Sequence, residues 1–336
     1  METLKKIIAG GSLSVTEAEM AMGEIMDGKL TPSQIAGLIV ALRMRGETPD
    51  EVMGFALAMR NRSARVNPSS GEVADTCGTG GDGKGTLNVS TGAALAVAAT
   101  GIMVAKHGNR AMSSRAGSAD VLAALGVRID APPEVVERCL NEAGIAFCFA
   151  PVFHPAMKNA AVPRRELGVQ TIFNMLGPLT NPAGAKYQLI GVARKELLEL
   201  EAKALARLGT GHSLVVHSRD GLDEMTTTAP TQALEVRGHS IVRRFVLEAG
   251  KYGLKKAALS DLAGSTPEAN AAELLRVLQG GKGAFRDVIV YNAGTVCWLA
   301  GKAKSIKQGI SLASGALDKG GALEKLERLK ALSGPA

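Results

Sequence analysis

Aromatic side chains are scarce in this sequence: 3 Tyr, 7 Phe and 1 Trp among 336 residues. A core of the size this length allows must therefore be built from Ala, Val, Leu, Ile and Met. Cysteine is scarce as well. Cys77, Cys139, Cys148 and Cys297 show no CxxC spacing, so no disulfide framework is expected and reduced thiols in a cytoplasmic protein are the simplest reading. Long apolar runs are missing. The longest, near Ala93–Ala105, contains Thr100 and Gly101 and stops at Lys106 and His107. Crossing a bilayer takes about 20 apolar residues, so no membrane partner is expected. The N-terminus carries Lys5 and Lys6 without the apolar run of a signal peptide. No internal repeat and no low-complexity tract interrupts the chain.

What is present is an ordinary soluble balance with a basic excess: 46% hydrophobic, 21% charged, formal net charge +7. A basic balance favours anionic partners. The positive charges are spread along the chain, which argues for a local anion pocket and against a nucleic-acid tail. Gly is abundant, at 40 residues. That points to tight turns and to places where backbone approaches a ligand closely.

The first sixty-odd residues read as successive helices. Thr16 is the expected cap of a helix reaching Asp27, with Ala18, Ala21, Met22, Ile25 and Met26 on one face. Thr31-Pro32 and Thr48-Pro49 repeat a cap followed by Pro at the first helical position. After the Pro- and Ser-bearing linker 67–71, short β-branched runs alternate with helical stripes. Strands are expected at 73–77, 102–105, 145–149, 188–192, 213–216 and 233–236. Helices are expected at 90–100, 133–143, 195–208, 271–279, 287–300 and 306–316. Alternation of this kind predicts an α/β fold with a mostly parallel central sheet flanked by helices. The expected division is a small all-helical domain, 1–66, joined by a helical segment near 163–182, and a larger α/β domain, 72–336.

Two loops carry the chemistry. Asp75-Thr76-Cys77-Gly78-Thr79-Gly80-Gly81-Asp82-Gly83 follows the first strand, and a helix opens near Ser90. Freed backbone amides and a helix N-terminus can hold a pyrophosphate. No Gly-Lys-Ser/Thr ends the run, and the glycine spacing is not that of a dinucleotide fingerprint. Lys106-His107-Gly108-Asn109-Arg110 follows the next expected strand, and Ser113-Ser114-Arg115-Ala116-Gly117-Ser118 leads into a helix at 119–125. In a parallel sheet both loops lie at carboxyl ends of strands, where ligands bind. Asp223-Glu224 sits in a polar loop. It reads as an exposed acidic turn or as a pair of carboxylates for a hard cation. Arg164 stands in a Pro-Arg-Arg-Glu helix start, where a guanidinium can grip a carboxylate with two hydrogen bonds.

The two loops resemble those of the anthranilate phosphoribosyltransferases. So do Arg164-Arg165-Glu166-Leu167-Gly168, the segment Phe173-Asn174-Met175-Leu176-Gly177-Pro178-Leu179-Thr180-Asn181-Pro182, and Asp220-Gly221-Leu222-Asp223-Glu224. They stand in the family's order over nearly the whole chain, and the resemblance implies the nucleoside phosphorylase and phosphoribosyltransferase type of fold. It implies that phosphoribosyl pyrophosphate lies across Gly78, Gly81, Asp82, Thr86, Asn88, Val89, Ser90 and Thr91. From the second loop it implies Lys106, His107, Gly108, Asn109, Arg110, Ala111, Met112, Ser113, Ser114 and Ser118. Anthranilate would meet Gly78, Asn109, Arg164 rather than Arg165, His107 and His154, with Pro178 as an apolar wall. Met157 stands where the family often has an aromatic. By the same resemblance two Mg2+ ions are expected, one on Asp223 and Glu224 and one shared with Ser90. A homodimer is implied too.

The implied reaction places the anthranilate amine on C1 of the ribose, with inversion and loss of pyrophosphate. An aryl amine already carries a free lone pair, so no single acid or base is expected to be indispensable. Alignment by Lys106, His107 and Asn109 and stabilisation of the leaving group supply the rate. Two other readings stand beside this one. A pyrimidine nucleoside phosphorylase would carry a Lys-His-Ser-Thr-Gly-Gly type of loop, whereas the glycines here follow Cys77. A non-catalytic nucleic-acid-binding relative would bind with steep salt dependence.

Overall fold

The structure, a computed structural model, describes residues 2–69, 72–111 and 115–335. Four helices come first: Glu2–Ile8, Val15–Met26, Pro32–Arg45 and Pro49–Asn61. The last three each open on a capping box, with Ser14 and Glu17, Thr31 and Gln34, and Thr48 and Glu51 exchanging side-chain and backbone bonds. The cap of the second helix is thus Ser14, two residues before the expected Thr16. Glu17 reaches back to the Ser14 amide and settles the choice.

Seven strands form one sheet: β1 Val73–Asp75, β2 Met103–Gly108, β3 Ile145–Phe149, β4 Tyr187–Gly191, β5 Thr210–Ser218, β6 Thr231–Gly238 and β7 Ser240–Leu247. The order is β3-β2-β1-β4-β5-β6-β7. The first five neighbours run parallel and the β5–β6 and β6–β7 pairs antiparallel. Chain order therefore reverses between β1 and β4, and the crevice outside their carboxyl ends is a topological switch point.

Side chains alternate between two cores. Leu189, Leu214, Val216 and Ala233 face helices 89–99 and 284–299. Ile190, Val192, Val215, Leu234 and Val236 face helix 195–208 and the N-terminal helices. Residues 172–179 bury Ile172, Phe173, Met175, Leu176 and Leu179 in that second core. Glu51 holds it locally. Its carboxylate accepts from the amides of Leu13 and Thr48, 2.8 Å each, and from Arg45.

The sheet extends beyond the sequence expectation at one end. β7 is an edge strand whose Val242, Arg243, Arg244 and Val246 face solvent. A strand with little to bury carries little hydrophobic alternation.

Candidate functional site

β2 runs to Gly108, so Lys106 and His107 are strand residues and not loop residues as expected from the sequence. Adjacent strand residues point to opposite sides. Lys106 Nζ donates to Ser90 Oγ at 3.3 Å. His107 turns the other way: its Nδ1 lies 2.9 Å from the Gly177 carbonyl. A carbonyl only accepts, so Nδ1 carries the proton and Nε2 keeps a lone pair. That Nε2 is buried without a partner.

The side of Lys106 is polar and acidic. The helix after the first loop spans Val89–Ala99, with Asn88 as its cap residue. Ser90 lies inside the first turn and does not cap it, which leaves its hydroxyl free for Lys106. The Ser90 amide donates to Glu224 Oε1 at 3.1 Å, and the Gly80 amide donates to Asp223 Oδ2 at 2.8 Å. Burial pushes both acids above their usual range. Asp82 raises Asp223 further, and Asp223 raises Glu224 while Lys106 opposes. Crowded carboxylates met by amides and one ammonium suit a divalent cation. Among the described residues no three His, Cys, Asp or Glu side chains form a ready-made cage. A hard cation here needs water or phosphate oxygens to complete its shell.

The loop geometry depends on close backbone approach. A Cβ on Gly78 would meet the Gly191 carbonyl at 2.9 Å and Asp223 Oδ2 at 3.2 Å. A Cβ on Gly191 would overlap the Asp223 carbonyl. The Thr79 amide donates to the Gly191 carbonyl at 2.8 Å, and Gln170 Nε2 donates to the Gly81 carbonyl at 2.8 Å. Farther along, Asn88 Nδ2 donates to the Ala116 carbonyl at 3.1 Å, tying the first loop to the second. Thr86 bridges to Ala263.

In the second loop, Asp120 is the organiser. It accepts from Arg110 Nη1 at 2.8 Å, from the Ala111 amide at 3.0 Å and from the Gly117 amide at 2.9 Å. Asn109 accepts on its side chain from the Arg110 amide, and its carbonyl accepts from Ser118 Oγ at 3.4 Å. Arg110 is therefore paired within its own loop. Met112, Ser113 and Ser114 lie outside the described residues.

The side of His107 is drier. His107 and His154 lie with ring centroids 5.2 Å apart. Burial lowers the His107 pKa, and the buried His154, next to that ring, is pushed down to about 3, so both are neutral at ordinary pH. Gly177 and Pro178 form the facing turn, held by Gln188 Nε2 donating to the Pro178 carbonyl at 2.7 Å. Arg164 lies in the last turn of helix Ala161–Leu167. The expected helix start at Pro163 is thus helix interior. The Arg164 guanidinium stands 5.1 Å from the centre of the Phe173 ring. Burial alone moves its pKa, downward, with no acidic partner contributing. A half-buried cation without a carboxylate is equipped to take one from a ligand. Burial first, then Asp75, pushes the Cys77 thiol far up, which disfavours its thiolate.

The two loops are joined by Lys106 on Ser90 and by Asn88 on the Ala116 carbonyl, with the Asp223-Glu224 turn against the first loop; the His107 and His154 rings lie on the other side of β2, and Arg164 lies against Phe173. Asp120, Gln170 and Gly191 were not singled out in the sequence. Asp120 alone left a trace there, as the third helical residue after Gly117.

The Glycosyl transferase family a/b domain matches residues 70–323, and the Glycosyl transferase family helical bundle domain matches residues 1–63. The anthranilate phosphoribosyltransferase of Thermomicrobium roseum is 53% identical over 333 residues, 98% of this chain and 96% of the relative. The crystal structure of anthranilate phosphoribosyltransferase from Thermus thermophilus superposes with a TM-score of 0.94 at 47% identity, covering 99% of both chains. The Saccharomyces cerevisiae anthranilate phosphoribosyltransferase in complex with PRPP and Mg superposes with a TM-score of 0.91 at 28% identity, covering 99% of this chain and 97% of that one.

Proposed function

The chain belongs to the anthranilate phosphoribosyltransferases, and on that footing we propose how its own side chains divide the work. It transfers the phosphoribosyl group of 5-phosphoribosyl 1-pyrophosphate to the amine of anthranilate, giving N-(5-phosphoribosyl)anthranilate and pyrophosphate in tryptophan biosynthesis. The observation that carries the assignment of roles is the split at β2. Lys106 faces Ser90 and the acids, while His107 faces Gly177 and His154.

The donor lies over the first loop and the roots of the second. The amides of Gly78 and Gly81, with Thr86, Asn88, Val89 and Thr91 at the opening of the helix, receive the diphosphate and ribose. Lys106 adds a fixed positive charge beside Ser90. Asn109, Arg110 and Ser118 take the phosphate, once Arg110 exchanges Asp120 for it. Magnesium is the metal of the yeast complex. We place two ions, one on Asp223 and Glu224 and one reaching Ser90; they supply charge neutralisation for the departing pyrophosphate.

Anthranilate lies on the drier side. Arg164 grips its carboxylate, held in place by the Phe173 ring, and Pro178 forms a wall. The aryl amine carries a free lone pair of its own, and the neutral His107 and His154 set no positive charge beside it. His107 Nε2, unprotonated, can accept a hydrogen bond from that amine. Met157 is partly buried against the second core and forms the outer edge of the tunnel.

Residues 1–66 and the segment 163–182 are taken as one unit. Ile8 and Met44, 72% and 82% exposed on it, favour a homodimer through these helices. Among the described residues no helix is long and apolar enough to cross a membrane, and a cytoplasmic place fits the small charged substrates. The test is loss of anthranilate fluorescence on adding phosphoribosyl pyrophosphate, with and without Mg2+. Fluorescence that persists with both present overturns the proposal.

A further inference from the structure

β1 is short. It pairs with β2 only through Val73 and Ala74, yet β2 continues to Gly108 on β3. The His107 amide, on the β1 side, is therefore left without a ladder acceptor. Asp75, the last residue of β1, supplies one from its side chain: Oδ1 accepts from the His107 amide at 3.2 Å and from the Cys77 amide at 3.1 Å. Its Oδ2 accepts from Asn181 Nδ2 at 2.8 Å. Asp75 is fully buried, which raises its pKa against the pull of Lys106 and His107, and each of its partners is a donor, an arrangement that suits a carboxylate.

Asn181 has no freedom in this arrangement. Its second Nδ2 hydrogen goes to the Ala105 carbonyl at 2.8 Å, and its Oδ1 accepts from the Ala183 amide at 2.9 Å. Next to it, Thr180 Oγ1 donates to the Leu176 carbonyl at 2.8 Å. The turn that carries Gly177 and Pro178 is thereby fixed to the same carboxylate. One side chain thus ties together the root of the first loop at Cys77, the root of the second at His107, and the turn facing His107.

We infer that Asp75 is a positioning residue that registers the pyrophosphate half of the site against the anthranilate half. The inference rests on the reaction assigned above. Asp75 touches no substrate in this role. It sets where the amine stands relative to C1, and a misplacement of about 1 Å can cost about 100-fold in rate.

Asp75→Asn separates this role from a merely structural one. The oxygen of the introduced amide can still accept from the Cys77 and His107 amides. Its NH2 group would confront the NH2 of Asn181, which cannot flip without setting oxygen against the Ala105 carbonyl. With the full chain and Mg2+, kcat is expected to fall by at least about tenfold, while KM for each substrate stays within about threefold. If Asp75→Asn does not accumulate as folded protein, Asn181→Ala removes the same bond from the other side and carries the same expectation for kcat and KM. An unchanged kcat, or a rise confined to KM, overturns the inference. A wild-type chain without transfer activity would instead sink the reaction assignment.

Discussion

Gly191→Ala tests whether backbone contact alone sets the acidic turn. The added methyl would overlap the Asp223 carbonyl and stand 3.1 Å from Asp223 Cα. Ordinary heavy-atom contacts lie at about 3.5 Å or beyond. The backbone at Asp223 must therefore retreat by roughly 1–2 Å, carrying Glu224 with it. Overpacking of this kind costs about 1–3 kcal/mol, so Tm should fall by several degrees while the chain stays folded. The functional cost is larger. Asp223 loses its 2.8 Å bond to the Gly80 amide, and the carboxylates move relative to Ser90 by more than a cation shell tolerates. We expect kcat to fall by about 100-fold or more and half-maximal activity to need a higher Mg2+ concentration. Steady-state rates over a Mg2+ titration, beside a thermal melt, make the measurement. A Gly191→Ala enzyme that melts lower but keeps the wild-type Mg2+ profile and kcat would refute the reasoning.

Arg164→Ala should raise KM for anthranilate by about 100-fold, the loss of two charge-assisted hydrogen bonds, with KM for phosphoribosyl pyrophosphate little changed; equal anthranilate affinity would remove Arg164 from the acceptor site. Asp223→Asn or Glu224→Gln should chiefly impair Mg2+-dependent turnover, read from rates at saturating substrates. Glu51→Ala leaves the Leu13 and Thr48 amides and Arg45 without their acceptor, and should cost about 3–5 kcal/mol in chemical denaturation. Glu201 is fully buried, both its oxygens lack partners, and burial raises it well above the usual 4.5. Folding then takes up a proton, so its stability contribution is full below 4.5 and is lost as pH climbs toward the folded value. The Tm advantage of Glu201→Gln over wild type should grow between about pH 5 and pH 8; a constant difference would exclude a Glu201 that keeps its proton on folding.

What sequence alone determined is what local chemistry controls. Thr31-Pro32 and Thr48-Pro49 start helices because cap and proline act within one turn. The glycine run after Asp75 marks a strand-to-helix turn fit for an anion, since only glycine permits that backbone course. Family likeness reached further, to Arg164, Asp223 and Glu224, whose own neighbours in sequence favoured a surface arginine and an exposed acidic turn. Tertiary structure decided the rest, because it depends on partners far along the chain. Whether β2 stops before or after His107 is settled by β3 and by the Asp75 carboxylate, 32 residues away. That length puts Lys106 and His107 on opposite sides of the site. β7 exists because β6 offers it an edge, not because its own residues alternate strongly. Asp223 and Glu224 are pushed up because burial comes first and because Asp82 stands beside Asp223 and Asp223 beside Glu224, against the opposing Gly80 amide and Lys106. Periodicity records which face of an element is buried; it carries no record of which distant carboxylate or amide will lie against it.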